Sequence, residues 1–98
     1  MDNAAIAERM KEAITKAGGL DKSVKFDFNG GGNVYAHGTD VHVDSDTEAD
    51  CTISVDKDDF VALAEGNLDP MMAFMSGKLK VAGDMSVAMG LQSIFSNM

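Results

Sequence analysis

The sequence predicts an α+β domain in which helices pack on one face of a five-stranded sheet. Two observations support this fold class. Apolar residues recur every three to four positions at both ends of the chain, which is typical of amphipathic helices. Between these ends, short stretches alternate apolar and polar residues, which is typical of strands with one buried face. A sheet covered by helices on one face buries the apolar sides of both kinds of element.

The first element is predicted to be a helix over residues 2–17, in which apolar residues recur at helical spacing. Asp2 or Asn3 can cap its start, because a side-chain oxygen there accepts a hydrogen bond from an unpaired backbone N–H. Gly18-Gly19 ends it, since glycine adopts the left-handed conformation that often follows a last helical turn.

Three strands follow, and we expect them to form an antiparallel meander. Apolar and polar residues alternate over 24–28, 34–37 and 41–44. Residues 29–32 and 38–40 between them are rich in glycine, asparagine and aspartate, which favour tight turns. Each strand therefore presents one apolar face to the core.

A fourth strand and a second helix follow the acidic stretch 44–50, which we interpret as a solvated connection. Residues 51–55 alternate again, with the cysteine on the apolar side. Asp56 is predicted to cap the next helix, supported by Asp59 much as in a capping box, and Gly66 ends that helix.

Two further helices flank a fifth strand. Asp69-Pro70 predicts the start of a short helix, because proline at the first helical position loses no hydrogen bond. Gly77 ends this helix, and residues 78–82 alternate as a strand. Asp84 then caps the last helix, whose apolar residues recur at helical spacing to the C-terminus.

Length and charge restrict the function classes. The 98 residues suffice for one domain with one core, which we assign to residues 1–98. Eight basic and sixteen acidic residues give a net charge of −8. Such a surface repels phosphates, which argues against nucleic acid as a partner. It also argues against recruitment by anionic lipid headgroups, which requires basic clusters.

The sequence shows no targeting signal that we recognise. A single cysteine, Cys51, cannot form an internal disulfide. We recognise neither a signal peptide nor a run of about 20 apolar residues that could span a membrane. We therefore expect a cytoplasmic protein without stable membrane insertion.

Residues that could carry catalysis lack the expected surroundings. Cys51 lies in register with buried strand positions, whereas a nucleophilic cysteine needs an exposed, electropositive site. Neither Ser54 nor Ser76 lies in a Gly-x-Ser-x-Gly nucleophile elbow. We expect no enzymatic activity and no cofactor.

The histidines His37 and His42 offer a rival hypothesis of a metal or enzyme site. If Thr39-Asp40 forms a two-residue hairpin loop, the two histidines face each other across the hairpin. Tyr35 then lies opposite Asp44. Two imidazoles and a carboxylate could bind a metal, although zinc sites usually have three or four protein ligands. We interpret these side chains as solvent-facing.

Methionine is the most informative residue type. Eight residues are methionine, and five of these lie between positions 71 and 89. Their flexible, polarizable side chains suit surfaces that adapt to apolar ligands or partners, but they also fill irregular gaps in cores. Composition alone leaves both interpretations open.

Three segments in the second half of the chain together form a recognisable sequence pattern. They read Asp-Cys-Thr-Ile-Ser-Val at 50–55, Ala-Glu-Gly-Asn-Leu-Asp-Pro at 64–70 and Phe-Met-Ser-Gly-Lys-Leu-Lys-Val-Ala-Gly-Asp at 74–84. In this order and spacing they resemble the sterol carrier protein 2 family, whose signature is Phe-x-x-Gly-Lys-(apolar)-Lys-(apolar)-x-Gly-(Asn/Asp). The strong match covers roughly residues 50–95.

The resemblance implies a mixed, mainly antiparallel sheet, with a crossover between the third and fourth strands. It also implies an apolar tunnel between sheet and helices for a fatty acid, acyl-CoA, sterol or phospholipid. A lipid binding and transfer module is therefore expected. The expected ligand contacts are Phe26, Phe60, Met71, Met72, Phe74, Met75, Leu79, Val81, Met85, Met89, Leu91, Ile94 and Phe95. The alternative is an interaction module whose methionine-rich face contacts a partner or a second copy in a homodimer.

Overall fold

The structure, a computed structural model, describes residues 2–95, and their side chains except those of Pro70 and residues 92–95. Four helices and five strands occur in the predicted order. Their bounds are α1 Asn3–Lys16, β1 Leu20–Asp27, β2 Asn33–Gly38, β3 Asp40–Val43, β4 Cys51–Val55, α2 Lys57–Ala64, α3 Pro70–Met75, β5 Leu79–Gly83 and α4 Met85–Phe95.

The strands form one mixed sheet in the order β3-β2-β1-β4-β5. β1, β2 and β3 are an antiparallel meander, and β4 pairs antiparallel with β5. β4 joins β1 in parallel, so the connection between β3 and β4 carries the chain from one edge of the sheet to the other side of β1. The predicted mixed, mainly antiparallel α+β fold is confirmed.

One face of the sheet forms the core together with the helices. The register places Val24 beside Cys51 and Phe26 beside Ile53, so the apolar sides of β1 and β4 are continuous. Phe60 of α2 packs on Phe26, with ring centroids 5.3 Å apart. The largest fully buried side chains are Ile6, Met10, Ile14, Val24, Phe26, Val34, Cys51, Ile53, Val55 and Phe60. Charged and polar residues such as Lys25 occupy the opposite face.

The β2–β3 hairpin has a different register from the one expected. Its two-residue loop is Gly38-Thr39, because His37 pairs with Asp40. Gly38 has φ +62°, a left-handed conformation that suits such loops and that glycine adopts without strain. Tyr35 consequently lies opposite His42, and their rings stack at 6.4 Å. The predicted pairings of His37 with His42 and of Tyr35 with Asp44 are therefore wrong.

β1 begins four residues earlier than expected, at Leu20. The register shifts between Leu20 and Val24, which indicates a bulge that interrupts the alternation of apolar and polar residues. Ser23 in this bulge donates its backbone N–H and its hydroxyl to the Asp50 carboxylate, at 3.0 and 3.1 Å. The backbone N–H of Asp50 donates in return to the Ser23 hydroxyl, at 2.8 Å.

Three predicted helix caps are confirmed and one is wrong. Asp2 accepts from the Ala5 N–H at 2.8 Å, and Asp69 and Asp84 cap α3 and α4 in the same manner. Asp56 occupies the position before α2, but its side chain makes no capping hydrogen bond. Its carboxylate instead accepts from the Asn29 side chain at 2.8 Å, which joins the β1–β2 turn to α2.

Candidate functional site

A cavity of about 390 Å³ lies between the end of α1, the start of β1 and the first half of α4. Gly90 leaves part of this space open, because a Cβ at this position of α4 would meet no atom within 4 Å. Leu91 at 2% exposure and the half-buried Leu20 and Val87 provide apolar surface. The lining residues are Ala17, Gly19, Leu20, Asp21, Lys22, Ser86, Val87, Gly90 and Leu91.

An ion pair joins two walls of this cavity. Lys22 of β1 contacts Asp84, the residue that caps α4. The hydrogen bond and the charge of Asp84 raise the pKa of Lys22 above its ordinary value. The same hydrogen bond, together with the Ser86 N–H, holds the pKa of Asp84 below its ordinary value. The cavity therefore combines apolar surface with a charged rim.

Cys51 lies in the core beneath α4 and is fully buried. Burial raises the pKa of its thiol, the Asp84 charge raises it further, and a hydrogen bond with the Ala88 backbone opposes both. A raised thiol pKa disfavours the nucleophilic thiolate. Cys51 therefore has the environment of a structural residue of the core.

The expected ligand contacts occupy three different environments. Phe26 and Phe60 belong to the interior of the core, whereas Leu79 and Val81 of β5 are partly buried against it. Among the expected contacts whose side chains the structure describes, Leu91 alone also lines the 390 Å³ cavity. The side chains of Ile94 and Phe95 lie outside the described residues.

The remaining expected contacts are exposed on α3 and α4. Their exposed fractions run from 47% to 78%, which is unusual for large apolar side chains. We call this set the methionine surface; it comprises Met71, Met72, Phe74, Met75, Met85 and Met89. Whether these residues touch a ligand stays a prediction.

A second, polar groove of about 270 Å³ lies at the other end of β1 and β4. It combines two lysines, Lys78 and Lys80, with the carboxylates of Asp56 and Asp59. Opposite charges along one groove offset each other, so it provides no concentrated charge for an ion.

The histidines do not assemble into a metal site with their neighbours. His42 stacks on Tyr35, and His37 pairs with Asp40 at the end of the hairpin. Within the described part of the chain, no three side chains of the His, Cys, Asp and Glu types come close enough to hold a metal together.

Sequence reasoning missed most of the cavity lining. Ala17 and Gly19 were interpreted only as the end of α1, and Lys22 lies where the register of β1 shifts, between Leu20 and Val24. The available signal was the run of small residues at 17–19, together with Gly90 in an otherwise apolar helix. Such residues indicate space only when the facing element is known.

Among residues 2–95, no helix combines the length and the apolar composition that crossing a membrane requires.

Comparison with known proteins gives a consistent result. The family model described as the SCP-2 sterol transfer family matches residues 4–96. Sterol carrier protein 2 of Rattus norvegicus is 53% identical over 51 residues, which are 52% of this chain and 9% of that protein. The chain therefore spans about a tenth of the length of this curated relative.

Solved structures show the same fold. Sterol carrier protein 2 from Yarrowia lipolytica, in its apo form, has a TM-score of 0.64 and 27% identity, covering 97% of this chain and 80% of that one. The palmitated SCP2L2 of Aedes aegypti has a TM-score of 0.75 and 19% identity, covering 97% and 95% of the two chains.

Proposed function

The chain belongs to the SCP-2 sterol transfer family, and we propose that it is a non-catalytic carrier holding the hydrocarbon part of one lipid. The observation that carries this proposal is the cavity between α1, β1 and α4, whose apolar lining ends at a charged rim. A hydrocarbon chain would contact Leu91 and Val87, and a polar headgroup would stay at the rim in contact with water.

The size of the cavity favours a slender ligand. Small-molecule sites span about 300–1,000 Å³, and 390 Å³ lies near the lower limit. A single acyl chain can follow such a space. A chain of about 14 methylenes would gain on the order of 11 kcal/mol on complete burial. Lost freedom and desolvation offset several kcal/mol, which leaves an affinity between micromolar and nanomolar.

A longer chain would extend from the cavity between α4 and β5. α4 packs on both β4 and β5, and Leu79 and Val81 lie partly buried on that side of the sheet. Phe26 and Phe60 would then form the inner wall. We propose that a longer ligand displaces α4 further from β5. The palmitated Aedes domain of the same fold supports an acyl chain as a ligand.

Displacement of a fluorescent fatty-acid probe tests this function. Wild-type protein is expected to bind the probe, and fatty acid, sterol and lysophospholipid competitors then identify the ligand class. Gly90→Phe should weaken binding at least tenfold, because a Cβ at Gly90 meets no atom within 4 Å and the ring would fill the cavity. Ala82→Phe, on an exposed position of β5, is the matched control. Absence of saturable probe binding by wild-type protein would refute the proposal.

A further inference from the structure

We propose that Asn29-Gly30, in the β1–β2 turn, is a site of spontaneous deamidation that the hydrogen bond between Asn29 and Asp56 restrains. Loss of this hydrogen bond permits the reaction, and the product cannot form the bond again. The modification therefore makes a separation of the turn from α2 permanent. None of these residues lines the cavity between α1, β1 and α4, so this chemistry does not depend on lipid binding.

The turn combines the residues and the exposure that favour deamidation. Of the five asparagines in the chain, Asn29 alone precedes a glycine, which has no side chain to shield its backbone nitrogen. Asn29 and Gly30 have φ of +52° and +98°, as in the type I′ turns in which Asn-Gly is common. A Cβ at Gly30 would meet no atom within 4 Å, so water reaches this part of the turn.

The backbone nitrogen of Gly30 is the nucleophile of the reaction. The residues on either side of it use their N–H groups within the turn: Asn29 donates to the Asp27 carboxylate and Gly31 to the Phe28 carbonyl oxygen, both at 3.1 Å. The Gly30 N–H makes no hydrogen bond with any of residues 2–95. Attack by this nitrogen therefore breaks no hydrogen bond of its own with the described part of the chain.

Deamidation proceeds through a cyclic imide. The Gly30 nitrogen forms a bond to Cγ of Asn29 while the bond between Cγ and Nδ2 breaks. The Gly30 proton passes through water to Nδ2, which leaves as ammonia. Water then adds to either ring carbonyl. Opening at Cγ gives an aspartate, and opening at the backbone carbonyl gives an isoaspartate, in which the main chain runs through Cβ. No oxidant or reductant is required.

Asp56 restrains the first step of this reaction. Its carboxylate accepts a hydrogen bond from Nδ2 of Asn29 at 2.8 Å, which fixes the orientation of the asparagine side chain. Ring closure removes Nδ2 from this side chain, so the hydrogen bond has to be lost. One hydrogen bond of typical strength contributes about a factor of five to an equilibrium. The Asp56 carboxylate is available for this contact because it does not cap α2.

The product separates the turn from α2. A carboxylate at position 29 has no N–H to donate, and it would lie beside the like charge of Asp56. Lys57, whose side chain passes Gly31 of the same turn, offsets part of this repulsion but does not restore the bond. An isoaspartate also lengthens the main chain directly after Phe28, whose ring packs on Phe60 with centroids 5.4 Å apart. Deamidation therefore weakens the packing of α2 on β1.

Peptide mapping by mass spectrometry tests the site by following conversion of Asn29 during incubation at neutral pH. Asp56→Ala should deamidate about fivefold faster than wild type. Asp56→Asn, whose side-chain oxygen can still accept the hydrogen bond, should stay close to wild type. Asp58→Ala, an exposed acid of α2, is the matched control and should equal wild type. Asn67, which precedes a leucine, should react more slowly than Asn29 in every variant, and circular dichroism should show that each variant is folded.

A double-mutant cycle provides a second readout. Asn29→Asp, which reproduces the product, should lower the urea midpoint of wild type but leave that of Asp56→Ala nearly unchanged. Equal conversion of Asn29 in wild type and Asp56→Ala would overturn the proposal. So would conversion in folded wild type that is no slower than in the urea-unfolded chain, or an equal loss of stability on Asn29→Asp in both backgrounds.

Discussion

Lys22 of β1 forms an ion pair with Asp84, the residue that caps α4, and this contact joins two walls of the cavity. The Lys22 side chain is 54% exposed, so water and salt screen the pair. Such a contact contributes little to stability, yet it holds the start of α4 against β1.

We predict that Lys22→Gln accelerates association of the fatty-acid probe several-fold, because α4 can then move from β1 more readily. Stopped-flow fluorescence measures the rate. Salt should accelerate the wild-type protein towards the rate of the variant, since salt screens the ion pair. Lys25→Gln, on the opposite face of the sheet, is the control. An unchanged rate in Lys22→Gln would show that the pair does not control access.

The hydrogen bonds from Ser23 predict how stability depends on pH. They hold the pKa of Asp50 below its ordinary value of 3.8, through the Ser23 backbone first and its hydroxyl second. A carboxyl with a lowered folded pKa stabilises the protein above its unfolded pKa, and this contribution is lost as the pH falls through the folded pKa. Urea unfolding of Asp50→Asn should show lower stability than wild type at pH 7.

The difference between Asp50→Asn and wild type should shrink as the pH falls below about 3.8, because the unfolded chain binds a proton at Asp50 there, whereas the folded protein binds it only at lower pH. Asp46→Asn, an exposed substitution in the same connection, should match wild type at both pH values. A difference that stays constant as the pH falls would assign the effect to hydrogen-bond geometry rather than to charge.

Leu91 is predicted to support both the core and the cavity. Leu91→Ala removes a side chain that is 2% exposed, and we expect a loss of about 2–5 kcal/mol in the free energy of unfolding. Met89→Ala, on the exposed side of the same helix, should cost about 0.5 kcal/mol or less. Chemical denaturation measures both. Similar losses in the two variants would contradict the assignment of the faces of α4.

Alanine substitutions at Gly83 and Gly77 can be compared to separate the energetic cost of backbone strain from that of a steric collision. Both have positive φ, +98° and +82°. A Cβ at Gly83 would collide with the Asp50 carbonyl oxygen, whereas one at Gly77 meets no atom within 4 Å. Gly77→Ala should therefore cost about 1–2 kcal/mol, the strain of a left-handed alanine. Gly83→Ala should lower the free energy of unfolding by more, and equal losses would refute the collision.

The order and type of the nine elements followed from local patterns. Asp69-Pro70 marked the start of α3, and the alternation around Phe26 marked a strand with a buried face, since both signals involve neighbouring residues. The helix caps at Asp2 and Asp84 were predictable for the same reason. Asp56 was not, because Asn29 from a distant turn binds its carboxylate.

The sequence alone determined the order of helices and strands, because their periodicity can be recognised from residues a few positions apart. Only the tertiary structure determined where the cavity lies. The cavity brings together Gly19 and Gly90, which lie 71 positions apart in the sequence. Exposure of Met72 depends on Ala73, its neighbour, occupying the buried side of α3. Packing between distant elements selects which apolar residues fill the core, and composition leaves that choice open.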